Sequence, residues 1–205
     1  AESVTSVPAN VVDWVLVELR KPSSGLAANA DTSTIIGRKA GFLLSNGNIV
    51  NTDGTTPISF TISKQGAAFM VVRHRNHLGL ISNSIPSNAT GTYSNDFTQL
   101  ANVYKPTGAP SDPVVLLSGT TGKYGMWAGD ANKNGTVNIL DVNAIKIAAS
   151  QSLAGYIQAD ANLSNSTNIT DVNLAKLTAA ASGTGSGARP IMIRTNIPDG
   201  VYNIE

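Results

Sequence analysis

The chain has no cysteine, so disulfides and thiolate chemistry are excluded, and any cross-bracing must come from packing or from a metal. Charge is scarce as well. Asp, Glu, Lys and Arg together make up 13% of the 205 residues, about half the usual share. The formal net charge is +1, and the densest basic stretch is "RHRNH" from Arg73 to His77. One short patch cannot neutralise a run of phosphates, so nucleic acid is excluded as a partner. No apolar run approaches the roughly 20 residues that cross a bilayer, so no membrane span is expected. Aromatics are only 5% of residues, too few for a sugar-stacking platform. Trp14 lies in an apolar strand and reads as core, while Trp127 stands where the β and helical parts should meet.

Catalytic signals are also missing. The two histidines, His74 and His77, are spaced H-x-x-H. On a strand their rings would point to opposite faces; across a turn they could converge. No G-x-S-x-G elbow is present. Among Asp13, Glu18, Asp31, Asp53, Asp96 and Asp112, no spacing singles out a glycosidase pair. The expectation is a protein that is not an enzyme.

What the chain has instead is Asn, Ser, Thr and Gly, a mixture typical of β-rich extracellular proteins with many polar turns. Residues 1–124 read as a β-sandwich domain, Ig-like or similar. "VVDWVLVELR" (11–20) reads as a central strand. Two apolar runs flank Asn46-Gly47, a two-residue hairpin signal. "PISFTI" alternates through Ile58, Phe60 and Ile62, and "DFTQLANVY" and "PVVLLS" read as further strands. Residues 1–12 are alternating and nearly uncharged, and read as a free strand able to join a neighbour's sheet edge. Starting at Ala1, the chain reads as a processed or excised piece.

From residue 125 the period becomes helical. D-V-N-x-x-K-x-x-A occurs at Asp141 and again at Asp171, and the same offset separates Asp130 from Asp160. This is an internal repeat of one loop-helix unit spanning 125–181. Val142, Ile145 and Ala149 in the first copy, with Val172, Ala175 and Ala179 in the second, mark the buried faces. Residues 182–188 are a flexible linker by composition. Residues 189–205 read as a β-hairpin around Pro198-Asp199-Gly200, which completes the sandwich or pairs with a neighbour.

Each loop carries the spacing of a twelve-residue calcium loop, with oxygen ligands at positions 1, 3, 5, 7, 9 and 12 and a sharp turn at position 6. In the first loop these are Asp130, Asn132, Asn134, the Thr136 carbonyl, Asn138 and Asp141, with Gly135 at the turn. In the second they are Asp160, Asn162, Ser164, the Ser166 carbonyl, Asn168 and Asp171, with Asn165 at the turn. Two carboxylates per loop balance one divalent cation. Zinc would want His or Cys, and magnesium a tight octahedron that retains water, so two calcium ions are expected. Sites of this charge belong to the weak extracellular class and stay filled only where calcium is plentiful. N-x-[ST] patterns occur at Asn88, Asn134, Asn162, Asn165 and Asn168, of which Asn88 is the best acceptor since it is no calcium ligand.

Residues 129–181 resemble a type I dockerin, with paired calcium loops each closed by Asp and followed by a helix. In that family the two residues before each closing Asp are small hydroxyl residues that help recognise a cohesin. Here they are Ile139-Leu140 and Ile169-Thr170, three of them apolar. They are expected to pack on the β domain and make the dockerin-like unit a built-in brace. "VVDWVLVELR", "VVRHRNHLG" and "MWAGDAN" resemble segments near the C-termini of large secreted bacterial surface proteins. That resemblance implies a place outside the cell or on its surface. The expected function is therefore a calcium-stabilised structural part of an adhesin, layer or filament, self-associating or bound to other modules. The alternative is a module that binds a protein partner, such as a cohesin-like domain, or a glycan.

Overall fold

The computed structural model describes residues 3–63, 66–109, 111–181 and 193–198. The fold is mainly β, with two helices. Its centre is β1 (Val11–Arg20), paired antiparallel with β2 (Ile35–Leu44) on one side and β4 (Phe69–His74) on the other. The short strands β3 (Ile49–Val50) and β5 (Leu80–Ile81) complete a five-stranded sheet in the order β3-β2-β1-β4-β5. Two further sheets have two strands each: β6 (Val114–Leu116) with β7 (Tyr124–Met126), and β8 (Thr136–Val137) with β9 (Ile193–Arg194).

β1 is paired along both edges, and from Asp13 onward its residues are buried or half-buried. Val15 and Val17 pack with Val72, Met70, Ile58 and Phe60 on one face. The other face carries a charge cluster in the second half of the strand. Glu18 and Arg20 are fully buried there, with Arg20 Nε 2.9 Å from Glu18 Oε2. Arg38 and Arg73 approach the other carboxylate oxygen at 3.1 and 3.8 Å.

The expected strand at 57–62 is not a strand. Its apolar residues Ile58, Phe60 and Ile62 are half-buried, and the segment lies over the sheet instead of beside it. Gly37 and Gly41 of β2 open the space: a Cβ at Gly37 would meet the Phe60 ring at 2.8 Å, and one at Gly41 would meet Ile58 at 2.6 Å. Nor is "DFTQLANVY" a strand; Leu100–Asn102 forms a 3₁₀ turn. The hairpin at Asn46-Gly47 is present, but with three loop residues. Leu44 N donates to Asn48 O and Gly47 N to Leu44 O, and Gly47 sits at φ +87°, a type I turn followed by a left-handed residue. The segment expected to be free at the N-terminus is partly seated, since Val4 packs with Phe42, Leu44 and Val50, and Pro8 lies against Gly54.

The repeat folds as two loop-helix units. Helix α1 (Ile139–Ser150) and helix α2 (Ile169–Ala181) pack through Val142, Ile145, Ala148, Val172 and Ala175. The small residues let the helices approach closely. Gly129, at φ +107°, abuts Ala175 where a Cβ would sit 3.0 Å from the alanine methyl.

Of the expected hairpin at 189–205, only residues 193–198 are among those described. Residues 189–192 and 199–205, with the Pro198-Asp199-Gly200 turn, lie outside the described residues except Pro198, as does the linker at 182–188. The described strand β9 pairs with β8 inside the first calcium-type loop and not with the five-stranded sheet. The next residues strap the loop to that sheet through side chains. Asn196 accepts from Ile81 N at 2.9 Å and donates to Ile81 O at 3.1 Å and Tyr104 O at 2.6 Å, while Ile197 is buried beside Phe69 and Val71.

Candidate functional site

The two loops fold in the same way. In each, the first Asp folds inward and accepts backbone donors from the turn. Asn134 N and Gly135 N reach the two Asp130 oxygens, both at 3.0 Å; Ser164 N and Asn165 N reach those of Asp160, both at 2.9 Å. In each, the closing Asp spans the loop from the helix. Asp141 accepts from Asn132 N at 3.2 Å and Asn138 N at 2.9 Å; Asp171 accepts from Asn162 N at 3.0 Å and Asn168 N at 2.9 Å. The turn residues match as well: Lys133 and Leu163 are at φ 59° and 60°, Gly135 and Asn165 at 73° and 66°. Asn is the best substitute for Gly in this left-handed region, which is how the second loop keeps its turn.

All four aspartates are buried. Burial and the nearby charge of Asp141 push the Asp130 carboxyl up to about 6, and burial also raises that of Asp141. Two buried acids facing one loop interior are costly unless a cation lies between them. The donor set, carboxylates with carboxamide, hydroxyl and carbonyl oxygens, is that of a hard cation of calcium's size. Among the described residues no group of three or more His, Cys, Asp or Glu side chains is arranged to hold a metal ion, and each loop contributes only two acids. The sites are amide-rich rather than acid-rich.

The remaining ligand positions also shape the loops. Asn138 caps α1 by accepting from Leu140 N at 2.8 Å, and with Asp141 it forms a capping box, so positions 9 and 12 begin the helix as well as facing the loop. Asn168 accepts from Thr170 N at 2.8 Å in the same way. Asn132 Oδ1 accepts from Asn134 N, and Asn134 Oδ1 from Thr136 N. Asn162 Oδ1 accepts from Ser164 N at 3.1 Å. Ser164 Oγ donates to the Ser166 carbonyl at 3.1 Å, so the short ligand of the second loop is tied to its neighbour.

The sequence reading missed what holds these loops to the sheet: the turn Arg75-Asn76 after β4. The Asn76 carbonyl accepts from Gly129 N and Asp130 N at 2.9 and 3.0 Å, and its Nδ2 donates to Gln158 O and Asp160 O at 3.0 and 2.7 Å. One asparagine therefore grips the first residue of both loops. Beside it, Arg75 is buried, with Nε 2.8 Å from Asp13 Oδ2 and Nη2 3.6 Å from Asp160 Oδ2. Its Nη1 donates to Ile157 O, and the guanidinium lies 4.4 Å over the Tyr156 ring. The only signal was the basic patch itself, in a chain otherwise poor in charge.

His74 and His77 converge across that turn, edge to face with ring centroids 4.5 Å apart. His74 Nε2 lies 3.2 Å from Asp13 Oδ2. Burial and the neighbouring His74 push the His77 imidazole well below its usual 6.5. Trp127 bridges the two parts as expected, packed with Leu78, Val137 and Ala179, its Nε1 donating to Asp112 O at 2.9 Å.

The expectation for the residues before the closing aspartates is overturned. Ile139, Leu140 and Ile169 are 64%, 61% and 63% exposed, so they do not pack on the β part. Ile147 and Leu177 at corresponding places on the two helices are exposed too. The bracing instead runs through Asn76, Arg75, Trp127 and the strap at 195–197. Among the described residues no helix is long and apolar enough to cross a membrane. Comparison with protein-family models, curated proteins and solved structures finds no match.

Proposed function

We propose that the chain is a non-catalytic extracellular module in which two calcium ions fix a loop-helix pair, so that the outer faces of α1 and α2 can dock a protein partner at the cell surface. The observation that carries this reading is the exposure of Ile139, Leu140, Ile147, Ile169 and Leu177 on the repeated unit. Large aliphatic side chains kept in water on both helices have no use in the isolated chain, and they suit an interface. Calcium would be held by Asp130, Asn132, Asn134, Thr136, Asn138 and Asp141 in one loop, and by Asp160, Asn162, Ser164, Ser166, Asn168 and Asp171 in the other. It would supply charge compensation and rigidity. The grip of Asn76 on both loops supports a permanent structural role for the ions rather than a sensory one. The same rigidity supports a place in a surface layer, adhesin or filament, with this face meeting a neighbouring module or another copy.

The test compares the native chain with a variant carrying Asp at Ile139, Ile147, Ile169 and Leu177. Both are immobilised in calcium and offered the same secreted and surface-protein fraction, and their self-association is followed by sedimentation. A protein or a second copy held by the native chain and lost from the variant is the expected result. Equal retention by both, or by neither, would refute the docking face.

A further inference from the structure

We propose that Arg75 is a fixed internal rival of the cation at the second loop, making that loop the weaker of the two and setting the order in which they fill. The inference rests on the calcium reading and deepens it. Its basis is a difference between two loops whose aspartates accept the same pattern of backbone N–H donors. Arg75 Nη2 stands 3.6 Å from Asp160 Oδ2, at position 1 of the second loop. Among the described residues no Lys or Arg forms an ion pair with Asp130 or Asp141 in the first.

Arg75 cannot swing aside to admit an ion. Its guanidinium is held by Asp13 Oδ2 at 2.8 Å, by the Ile157 carbonyl and by the Tyr156 ring, and it is only 9% exposed. A guanidinium keeps its charge at any working pH. A divalent ion bound by Asp160 and Asp171 therefore meets a positive charge that the protein supplies permanently, in a place where water screens little. Asp13, on the far side of the guanidinium, offsets part of that charge. The pair Asp13 and Arg75 thus tunes the second loop from outside it. Filling then runs from the first loop, strapped by β9, to the second, pinned by Arg75.

The experiment is calorimetric calcium titration of the full chain, natively and in an Asp141→Asn background that isolates the second loop. Arg75→Gln, which keeps a donor for the Ile157 carbonyl, should tighten the second site by about tenfold. Arg75→Lys should leave it near the native value, and Asp13→Asn should loosen it; the first site should stay fixed throughout. A merely structural Arg75 would give looser binding in both Arg75→Gln and Asp13→Asn, and that result overturns the inference, as does an unchanged second site in Arg75→Gln. If the native chain takes up no calcium at all, the functional reading fails together with this one. Two native steps with no response to Arg75→Gln remove this inference alone.

Discussion

Glu18 has the environment least tolerant of change in the sheet. Its carboxylate meets Arg20, Arg38 and Arg73, and it is wholly buried. Removing one partner of a buried ion pair leaves a charge with neither water nor counterion. Glu18→Ala is therefore expected to cost about 3–5 kcal/mol in urea unfolding; a loss under 1 kcal/mol would show that the cluster is relieved in some other way. Asp13 gives the pH dependence. Burial opposes its ionisation, but His74 and Arg75 beside it outweigh that and hold its carboxyl at about 2, against 3.8 unfolded. A depressed carboxyl stabilises the fold above its unfolded value and loses that contribution as pH falls through the folded one. Stability should thus drop by about 2 kcal/mol between pH 4 and pH 2, and Asp13→Asn should flatten that limb. His77 acts in a higher window. Its lowered value means that the unfolded chain takes up the proton first, so stability declines as pH falls below about 6.5. His77→Asn should remove that slope from a denaturation series. None of these partnerships was legible, because the sequence of β1 does not say which basic side chains of the neighbouring strands will face Glu18 or Asp13.

At the scale of elements, the repeat was the most legible feature. Equal spacing of Asp, Asn and apolar residues in two copies located both loops and both helices, and Asn165 was readable as a stand-in for Gly. The segment "PISFTI" was legible only in part. Alternation says which side chains are buried, not whether the backbone has a ladder partner, and here glycines in β2 draw the segment across the sheet face. The apolar residues before the closing aspartates misled for a related reason. A sequence cannot tell a leucine packed on its own chain from one left open to water. In the described part of the segment read as a hairpin, the grip on the sheet comes from the side chains of Thr195, Asn196 and Ile197. Asn196 satisfies both the N–H and the carbonyl of Ile81. Asn196→Leu should take away the partner of Ile81 N and of Tyr104 O, while Ile81 O keeps the Tyr104 N donor at 3.0 Å, and cost about 1–3 kcal/mol by thermal or urea unfolding. A neutral result would mean that water serves the β5 edge equally well.

At the scale of the whole molecule, the sheet and the loop-helix pair are joined by contacts between residues far apart in sequence. Asn76 reaches Gln158 and Asp160 across 82 and 84 residues, and Asn196 reaches Ile81 across 115. Spacing along the chain carries no trace of such bonds, so the reading found the calcium-type loops but not what anchors them. The consequence is that ion binding should be felt by the sheet. With Asn76 holding the first residue of each loop, disorder in the loops releases the turn after β4 and the buried Asp13-Arg75 pair with it. Any ion held only by the native state adds RT ln(1 + [L]/Kd), about 1.4–2.7 kcal/mol at ten to a hundred times Kd. The most direct measurement is thermal unfolding of the native chain and of Asp130→Asn with Asp141→Asn, in millimolar calcium and in excess chelator, followed at Trp14 and Trp127. The account predicts that calcium raises Tm for the native chain, with one transition at both tryptophans, and that the double variant loses part of the increase. A native Tm that is the same in calcium and in chelator would contradict it.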